Sequence, residues 1–325
     1  MSIHARQVCI LGGGPAGLSC ALWAHNLGLE PTLVEPGRQC GGSMLMNFLP
    51  NNWVLGQPAR PGPDLVMTFL QHVVAADVPI LLDSRPTRIE RRSDGCLQVT
   101  LDTPHGLSGM EAGAVVIATG TRFRAREALL GVPGFNQCDQ GRMRFGPYCF
   151  SHLEAIAGKR LLIIGGGDNA LENACLAQEQ GTRVVVAARS AFHAQARFME
   201  KMQAASDCGL HAHTRLKALR PAPTGLLATL EGPQGSIDIE VDRLHLLAGY
   251  QPNSGFLADV LGRSLAPPAT DADGYLIVDA MGRCSEAGFY AAGDICNRVF
   301  PSVVTAIAEG ARAAKAIETD LSAPR

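Results

Sequence analysis

The chain has 325 residues, 46% hydrophobic and 18% charged, a balance that allows two domains with real cores and excludes a disordered chain or a disulfide scaffold. A formal net charge of −2 leaves no global field to attract nucleic acid or anionic lipid. No run reaches the roughly 20 apolar residues that span a bilayer, and residues 1–7 lack the charged and apolar regions of a secretory signal, so a cytoplasmic protein with neither nucleic acid nor membrane as a partner is expected.

Val8-Cys9-Ile10-Leu11 is the short, continuous apolar run that a buried parallel strand needs. Gly12-Gly13-Gly14-Pro15-Ala16-Gly17 follows at once, and a helical stretch runs from 18 to about 27. Residues 31–35 read as the second strand and complete a βαβ unit. In that setting Gly12-x-Gly14-x-x-Gly17 is a dinucleotide-binding turn. The first glycine permits the tight turn, the second lets the backbone approach a pyrophosphate, and the third lets helix and strand pack closely. Free N–H groups at the helix start hold the anion. Glu35, 18 residues beyond Gly17, ends the second strand, where its carboxylate can accept from both hydroxyls of an adenosine ribose.

Residues 115–120 form a strand that closes on the small turn Ala118-Thr119-Gly120. A loop-rich crossing follows, and the first pattern then recurs. Residues 160–164 are an apolar strand, Gly165-Gly166-Gly167-Asp168-Asn169-Ala170 opens a helix to about 180, and residues 183–188 give the next strand. Gly165 stands 153 residues after Gly12, too far for a solenoid repeat; the reading is two domains of one fold family. Residues 288–294 make a strand ending in Gly293-Asp294, and a last helix runs from about 302 to 321. A carboxylate there can bond the ribityl hydroxyls of a flavin, while the following helix aims N–H groups at the pyrimidine end of the ring. With Thr119 and Gly120, these residues point to FAD in the first domain.

The stretches Ile10–Leu18, Gly41-Gly42, Asn52-Trp53, Ala118–Gly120, Ile164–Glu172 and Ala291–Asp294, in that order along the whole chain, resemble the low-molecular-weight thioredoxin reductase family of the pyridine nucleotide-disulfide oxidoreductase superfamily. The resemblance implies an α/β fold of two Rossmann-like domains. An NAD(P)H-binding domain at 122–247 is inserted in an FAD-binding domain made of 1–121 and 248–325. It implies that Pro15 and Ala16 join the glycine turn around FAD, that Asn52 and the backbone near Val303 approach the flavin, and that the protein is a homodimer.

Two departures shape the functional reading. The family's disulfide reductases carry Cys-x-x-Cys just before the second glycine motif; here that stretch is Tyr148-Cys149-Phe150-Ser151-His152-Leu153. Without a resolving thiol, no dithiol shuttle to thioredoxin is expected. Cys149 reads either as a reactive thiol with His152 lowering its pKa or as a packing residue. The other cysteines, Cys40 before Gly41 included, show no paired ligand spacing, so no metal is expected. Secondly, NADPH-preferring members follow the second strand with His-Arg-Arg-x-x-Phe-Arg-Ala, and this chain has Ala187-Ala188-Arg189-Ser190-Ala191-Phe192-His193-Ala194. Arg189 survives and His193 replaces an arginine, which weakens a phosphate fork. No acidic residue ends the strand to take a 2′-hydroxyl. Gly165, Gly167, Asn169 and Ala170 still offer a pyrophosphate site for NAD(P)H, with the NADH or NADPH preference open.

The leading expectation is an enzyme that takes hydride from NAD(P)H onto FAD and passes electrons from the flavin directly to an acceptor. That acceptor is a redox protein such as ferredoxin or flavodoxin, or a small molecule. A disulfide reductase working through Cys149 alone is the second reading, and a flavin- or nucleotide-binding sensor without turnover the third.

Overall fold

The computed structural model describes residues 6–146 and 153–322. Contacts divide the chain into two units, residues 1–122 with 251–325, and residues 123–250. The first unit starts with β1 (Gln7–Leu11), α1 (Pro15–Asn26), β2 (Glu30–Val34), α2 (Gly62–Ala75) and β3 (Ile80–Leu81). An antiparallel meander of β4 (Arg85–Arg91), β5 (Leu97–Thr103) and β6 (Gly106–Ala112) leads into β7 (Ala114–Ile117). The chain crosses through β8 (Thr121–Phe123) into the second unit.

That unit repeats the plan. Its strands are β9 (Met143–Phe145), β10 (Arg160–Ile164), β11 (Arg183–Ala187) and β12 (Cys208–His211), with α3 (Asp168–Glu179) and α4 (Ala196–Ala204) between them. A second meander, β13 (Arg215–Pro221), β14 (Leu226–Gly232) and β15 (Gly235–Val241), precedes β16 (Arg243–Leu246). The chain returns through β17 (Tyr250–Pro252) to α5 (Leu257–Val260), β18 (Phe289–Ala291) and α6 (Val303–Ser322).

Each unit holds a five-stranded sheet, in the order β18-β7-β1-β2-β3 and β12-β11-β10-β16-β9. The central strands are parallel, and their apolar runs are buried on both faces, which is why they lack polar alternation. In the first unit α1 and α6 cover one face through small residues: Ala16, Ala21 and Ala24 meet Ala306, Ala313 and Ala314 in one cluster. The meander covers the other face through Leu97, Val99 and Leu101. In the second unit α3 and α4 pack on Leu161 and Ile163, and its meander on Leu162, Leu244 and Leu246.

Register sets the site. Leu11 pairs with Val34 and with Ile117, and Ile117 with Ala291. The residues that follow these ends, Gly12, Glu35, Ala118 and Ala292-Gly293, therefore leave the sheet along one edge. Ile164 pairs with Ala187 and Leu246, so Gly165, Ala188 and Leu247 share the matching edge of the second sheet. The carboxyl ends of parallel strands are where open α/β sheets bind ligands.

Candidate functional site: two dinucleotide cradles

In the first unit the glycine turn is tight for steric reasons. Gly12 has φ +108°, and a Cβ there would lie 2.5 Å from the Ala118 carbonyl oxygen. A Cβ on Gly17 would stand 1.9 Å from the Gly12 carbonyl oxygen, whereas Gly14 faces open space. Gly14 is the N-cap of α1, Pro15 opens the helix, no side chain caps it, and its first turn holds no acidic residue. Pro suits that first position because its missing N–H has no partner there anyway. The turn thus presents bare backbone to an anion at the positive helix end.

Glu35 ties the edge together. Its Oε2 accepts the Gly13 N–H at 2.7 Å and its Oε1 the Gly37 N–H at 2.8 Å. Each oxygen keeps a lone pair for a ribose hydroxyl. Gly13 is part of the device: a Cβ on it would meet Cys40 Sγ at 2.7 Å and Glu35 Oε2 at 3.0 Å.

Two more turns reach the same place. Thr119 and Gly120 are braced by Asn253, which the sequence pattern did not single out. Thr119 Oγ1 donates to the Asn253 carbonyl at 3.0 Å, Asn253 Nδ2 donates to the Thr119 carbonyl at 2.9 Å, and the Asn253 N–H donates to the Gly120 carbonyl at 2.9 Å. Gly293 has φ +83°, and its Cβ would fall 2.8 Å from the Ala16 Cβ. The Gly12 turn, the Ala118 turn and the Gly293-Asp294 turn therefore converge. Burial, reinforced by Glu309, pushes the Asp294 carboxyl up to about 6.

Ser302 caps α6. Its Oγ accepts the Thr305 N–H, and Thr305 Oγ1 accepts the Ser302 N–H, both at 3.1 Å, a reciprocal cap. Val303 begins the helix and packs with Met44, Leu65 and Val66, with Val54 beside them. The 47–61 loop is thereby brought to the start of α6. Asn52 lies on that loop, exposed, with its Oδ1 taking the Ala59 N–H at 3.0 Å. The arrangement fits a dinucleotide carrying a flavin: glycine turn for the pyrophosphate, Glu35 for the ribose, Asp294 for the ribityl chain, the α6 start for the ring.

The second cradle is built alike with one replacement. Gly165 has φ +154°, with a Cβ 2.5 Å from the Leu247 carbonyl oxygen and 3.1 Å from the Ala170 Cβ, so alanine suffices where the first turn has Gly17. Gly167 caps α3. The 189–195 loop folds over this turn: the His193 N–H donates to the Gly166 carbonyl at 2.9 Å, and Asp168 accepts from Gln195 N and Nε2 at 2.7 and 2.9 Å. The His193 ring sits over the helix start, Nε2 3.1 Å from the Gly167 Cβ position. Arg189 is exposed just past β11, and Asn169 Nδ2 donates to the Tyr250 hydroxyl at 2.8 Å.

Cys149 and His152 lie outside the described residues. None of the nine described cysteines forms a disulfide. Burial pushes the thiols of Cys9, Cys20, Cys284 and Cys296 up to about 12, and burial with Glu35 does the same to Cys40. None of these five is a thiolate nucleophile at neutral pH. Among the described residues no cluster of His, Cys, Asp or Glu suits a metal ion, and no helix is long and apolar enough to cross a membrane.

Residues 6–310 match the family described as Pyridine nucleotide-disulphide oxidoreductase. The chain is 27% identical to the F polypeptide of the alkyl hydroperoxide reductase of Pseudomonas putida over 96% of its own length. It spans 58% of that relative's length. It is 25% identical to a ferredoxin–NADP reductase of Lactococcus lactis, over 89% of this chain and 85% of that one. Among solved structures, Lactococcus lactis thioredoxin reductase superposes with a TM-score of 0.81 over 97% of this chain and 99% of that chain, at 21% identity; at that identity the likeness is one of fold.

Proposed function

The chain belongs to the pyridine nucleotide-disulphide oxidoreductase family, and on that premise we propose that it is an FAD-dependent NAD(P)H oxidoreductase whose electrons leave the flavin for a small, uncharged organic acceptor. When bound, FAD supplies the hydride acceptor and the exit for electrons, and NAD(P)H the hydride. The chain's own residues position these groups. The α1 start and Gly14 hold a pyrophosphate, Glu35 and Asp294 orient the sugar hydroxyls, and the α6 start presents N–H groups to the pyrimidine end of the ring. In the second unit Gly167 and α3 offer the equivalent anion site. These 325 residues hold no Cys-x-x-Cys, which supports a route from flavin to acceptor that uses no such dithiol.

One observation carries the choice of acceptor. The 47–61 loop packs through Val54 on the cluster that holds Val303 at the start of α6; this loop and the segment before α6 expose Phe48, Trp53, Leu55, Val299 and Phe300. Residues 39–59 contain no Asp, Glu, Lys, Arg or His, and the loop's one charge, the exposed Arg60 at its end, donates to the Thr68 hydroxyl at 3.1 Å. The one charge at 295–304, Arg298, is already paired with Asp271 and Asp273 at 2.8 Å each. An acidic carrier protein is steered by a basic surface, which these segments do not offer; an apolar acceptor is matched by them. The test is anaerobic titration of the purified protein with NADH and then NADPH, followed by a panel of a benzoquinone, an acidic ferredoxin and a flavodoxin. Bleaching of the flavin with rapid turnover of the quinone is expected. Bleaching followed by efficient turnover of ferredoxin alone would replace the acceptor, and no bleaching by either nucleotide would sink the proposal.

A further inference from the structure

A carboxylate that neither glycine motif points to lies beside this site. Glu309 is on the second turn of α6, its side chain 13% exposed. Its Oε2 accepts the Gly293 N–H at 2.8 Å and its Oε1 accepts from Asn297 Nδ2 at 2.7 Å. Those two donors stand at the two ends of one turn in the β18–α6 connection, where the Asn297 N–H also donates to the Gly293 carbonyl at 3.1 Å. Gly293 is the hinge of the turn that aims Asp294. Asn297 shapes the run into α6: its Oδ1 takes the Phe300 N–H at 3.0 Å, and its Nδ2 also reaches the Phe300 carbonyl at 3.2 Å. That run delivers Ser302, the cap that leaves the first N–H groups of α6 pointing out of the helix.

The backbone beneath the carboxylate is locked. The next residue, Gly310, lies against α1, where a Cβ would stand 2.2 Å from the Ala16 carbonyl oxygen and 2.9 Å from the Cys20 nitrogen. Glu309 thus works from the point where α6 bears on the helix of the phosphate cradle. Arg312, 3.8 Å away, is half exposed and donates to the Ala280 carbonyl, so it screens the carboxylate weakly.

We infer that Glu309 is a positioning residue: by gripping Gly293 and Asn297 in one carboxylate it fixes the Asp294 turn and the start of α6 together, and its charge bears on the electronics of a flavin held between them. The inference rests on the FAD reading above. A negative charge beside a flavin opposes the charge gained on reduction, so Glu309 holds the potential low while it holds the geometry. Its neighbour feels the same field, since the Glu309 charge adds to burial in raising the Asp294 carboxyl. Glutamine at 309 keeps the shape and removes the charge, while alanine removes both.

The test uses the purified holoprotein and its Glu309→Gln, Glu309→Ala and Asn297→Ala variants. Two quantities are read: the rate of FAD release on dilution, from recovered flavin fluorescence, and the flavin midpoint potential against reference dyes. Glu309→Gln is expected to release FAD within a few-fold of the parent rate but to shift the redox equilibrium about tenfold towards reduced flavin, about 30 mV for a two-electron couple. Glu309→Ala is expected to shift it in the same direction and to release FAD at least tenfold faster. Asn297→Ala should speed release without the shift in potential. If both Glu309 variants only lower the melting temperature, with release and potential unchanged, Glu309 is an ordinary helix tie and the inference is overturned. A parent protein that holds no FAD would overturn the FAD reading first, before any variant is compared, and this inference with it.

Discussion

Gly310 in α6 and Ala16 in α1 pack so closely that one added methyl group at Gly310 would sit 2.2 Å from a carbonyl oxygen. The obstacle is main chain on both helices, so neither partner can rotate away. Gly310→Ala must push α6 off α1 and open the junction of all three turns. Overpacking of this kind costs about 1–3 kcal/mol. The variant should show a lower urea midpoint and purify with less flavin than the parent; a variant with the parent's midpoint and yellow colour would show that the helices can slide apart without disturbing the cradle.

Arg189 makes the second cradle's preference testable. It is the one arginine in the 187–194 segment past β11, and no carboxylate ends that strand to receive a 2′-hydroxyl. An exposed guanidinium on a phosphate is worth about 1 kcal/mol after screening, so Arg189→Ala should weaken NADPH about fivefold and leave NADH unchanged. Dissociation constants from anaerobic binding at low and moderate salt decide it. Equal losses for the two nucleotides would place Arg189 on the pyrophosphate instead.

A residue's place in the fold was legible in the sequence where its cause is local. Gly12, Gly17 and Glu35 were legible because strand, turn and helix follow one another and each glycine has a local steric reason. Gly293-Asp294 was legible as a strand end, and the sheet order then placed it beside β7. Asn253 and Glu309 were not. Asn253 braces Thr119 from 134 residues away, and Glu309 sits on a helix face whose partner is set only by the α1 packing. A hydrogen bond between distant backbone and side chain leaves no periodicity or spacing to read. Gly13 was passed over for a related reason: its neighbour, Cys40, is brought in by the fold. α1 begins at Pro15, earlier than its apolar pattern suggests, because the proline itself occupies the first turn.

His245 gives the second unit an acid-sensitive point. It lies in β16, 2% exposed, paired in register with Ile163 and Arg144, and its Nδ1 has no hydrogen-bond partner among the described residues. Burial, with Arg144 and Arg243 adding to it, lowers its pKa from 6.5 to about 3. The folded state therefore resists a proton that the unfolded chain accepts. Stability is complete above pH 6.5 and falls by about 1.4 kcal/mol per unit as pH drops from there towards 3. His245→Phe should match or exceed the parent at pH 7, and its advantage should grow on acidification. Urea midpoints at intervals from pH 7.5 to 4.5 test this, and a constant difference across that range would refute it.

Asp294 should behave with the opposite sign. Its carboxyl is raised from 3.8 to about 6 by burial and then by Glu309, so the flavin-free folded state prefers the proton. Stability is greatest below pH 4, declines as pH rises towards 6, and is level above it. A shift of about 2 units corresponds to about 3 kcal/mol, which Asp294→Asn should recover above pH 6 and not below pH 4. The same change removes the charged acceptor proposed for the ribityl hydroxyls, so the variant should lose flavin more readily. Melting curves at pH 5 and 7.5, each with and without added FAD, separate the two effects. If Asp294→Asn is no more stable than the parent at pH 7.5 without flavin, the turn is not strained by its charge. If it gains as much from FAD as the parent does, Asp294 is not a flavin ligand.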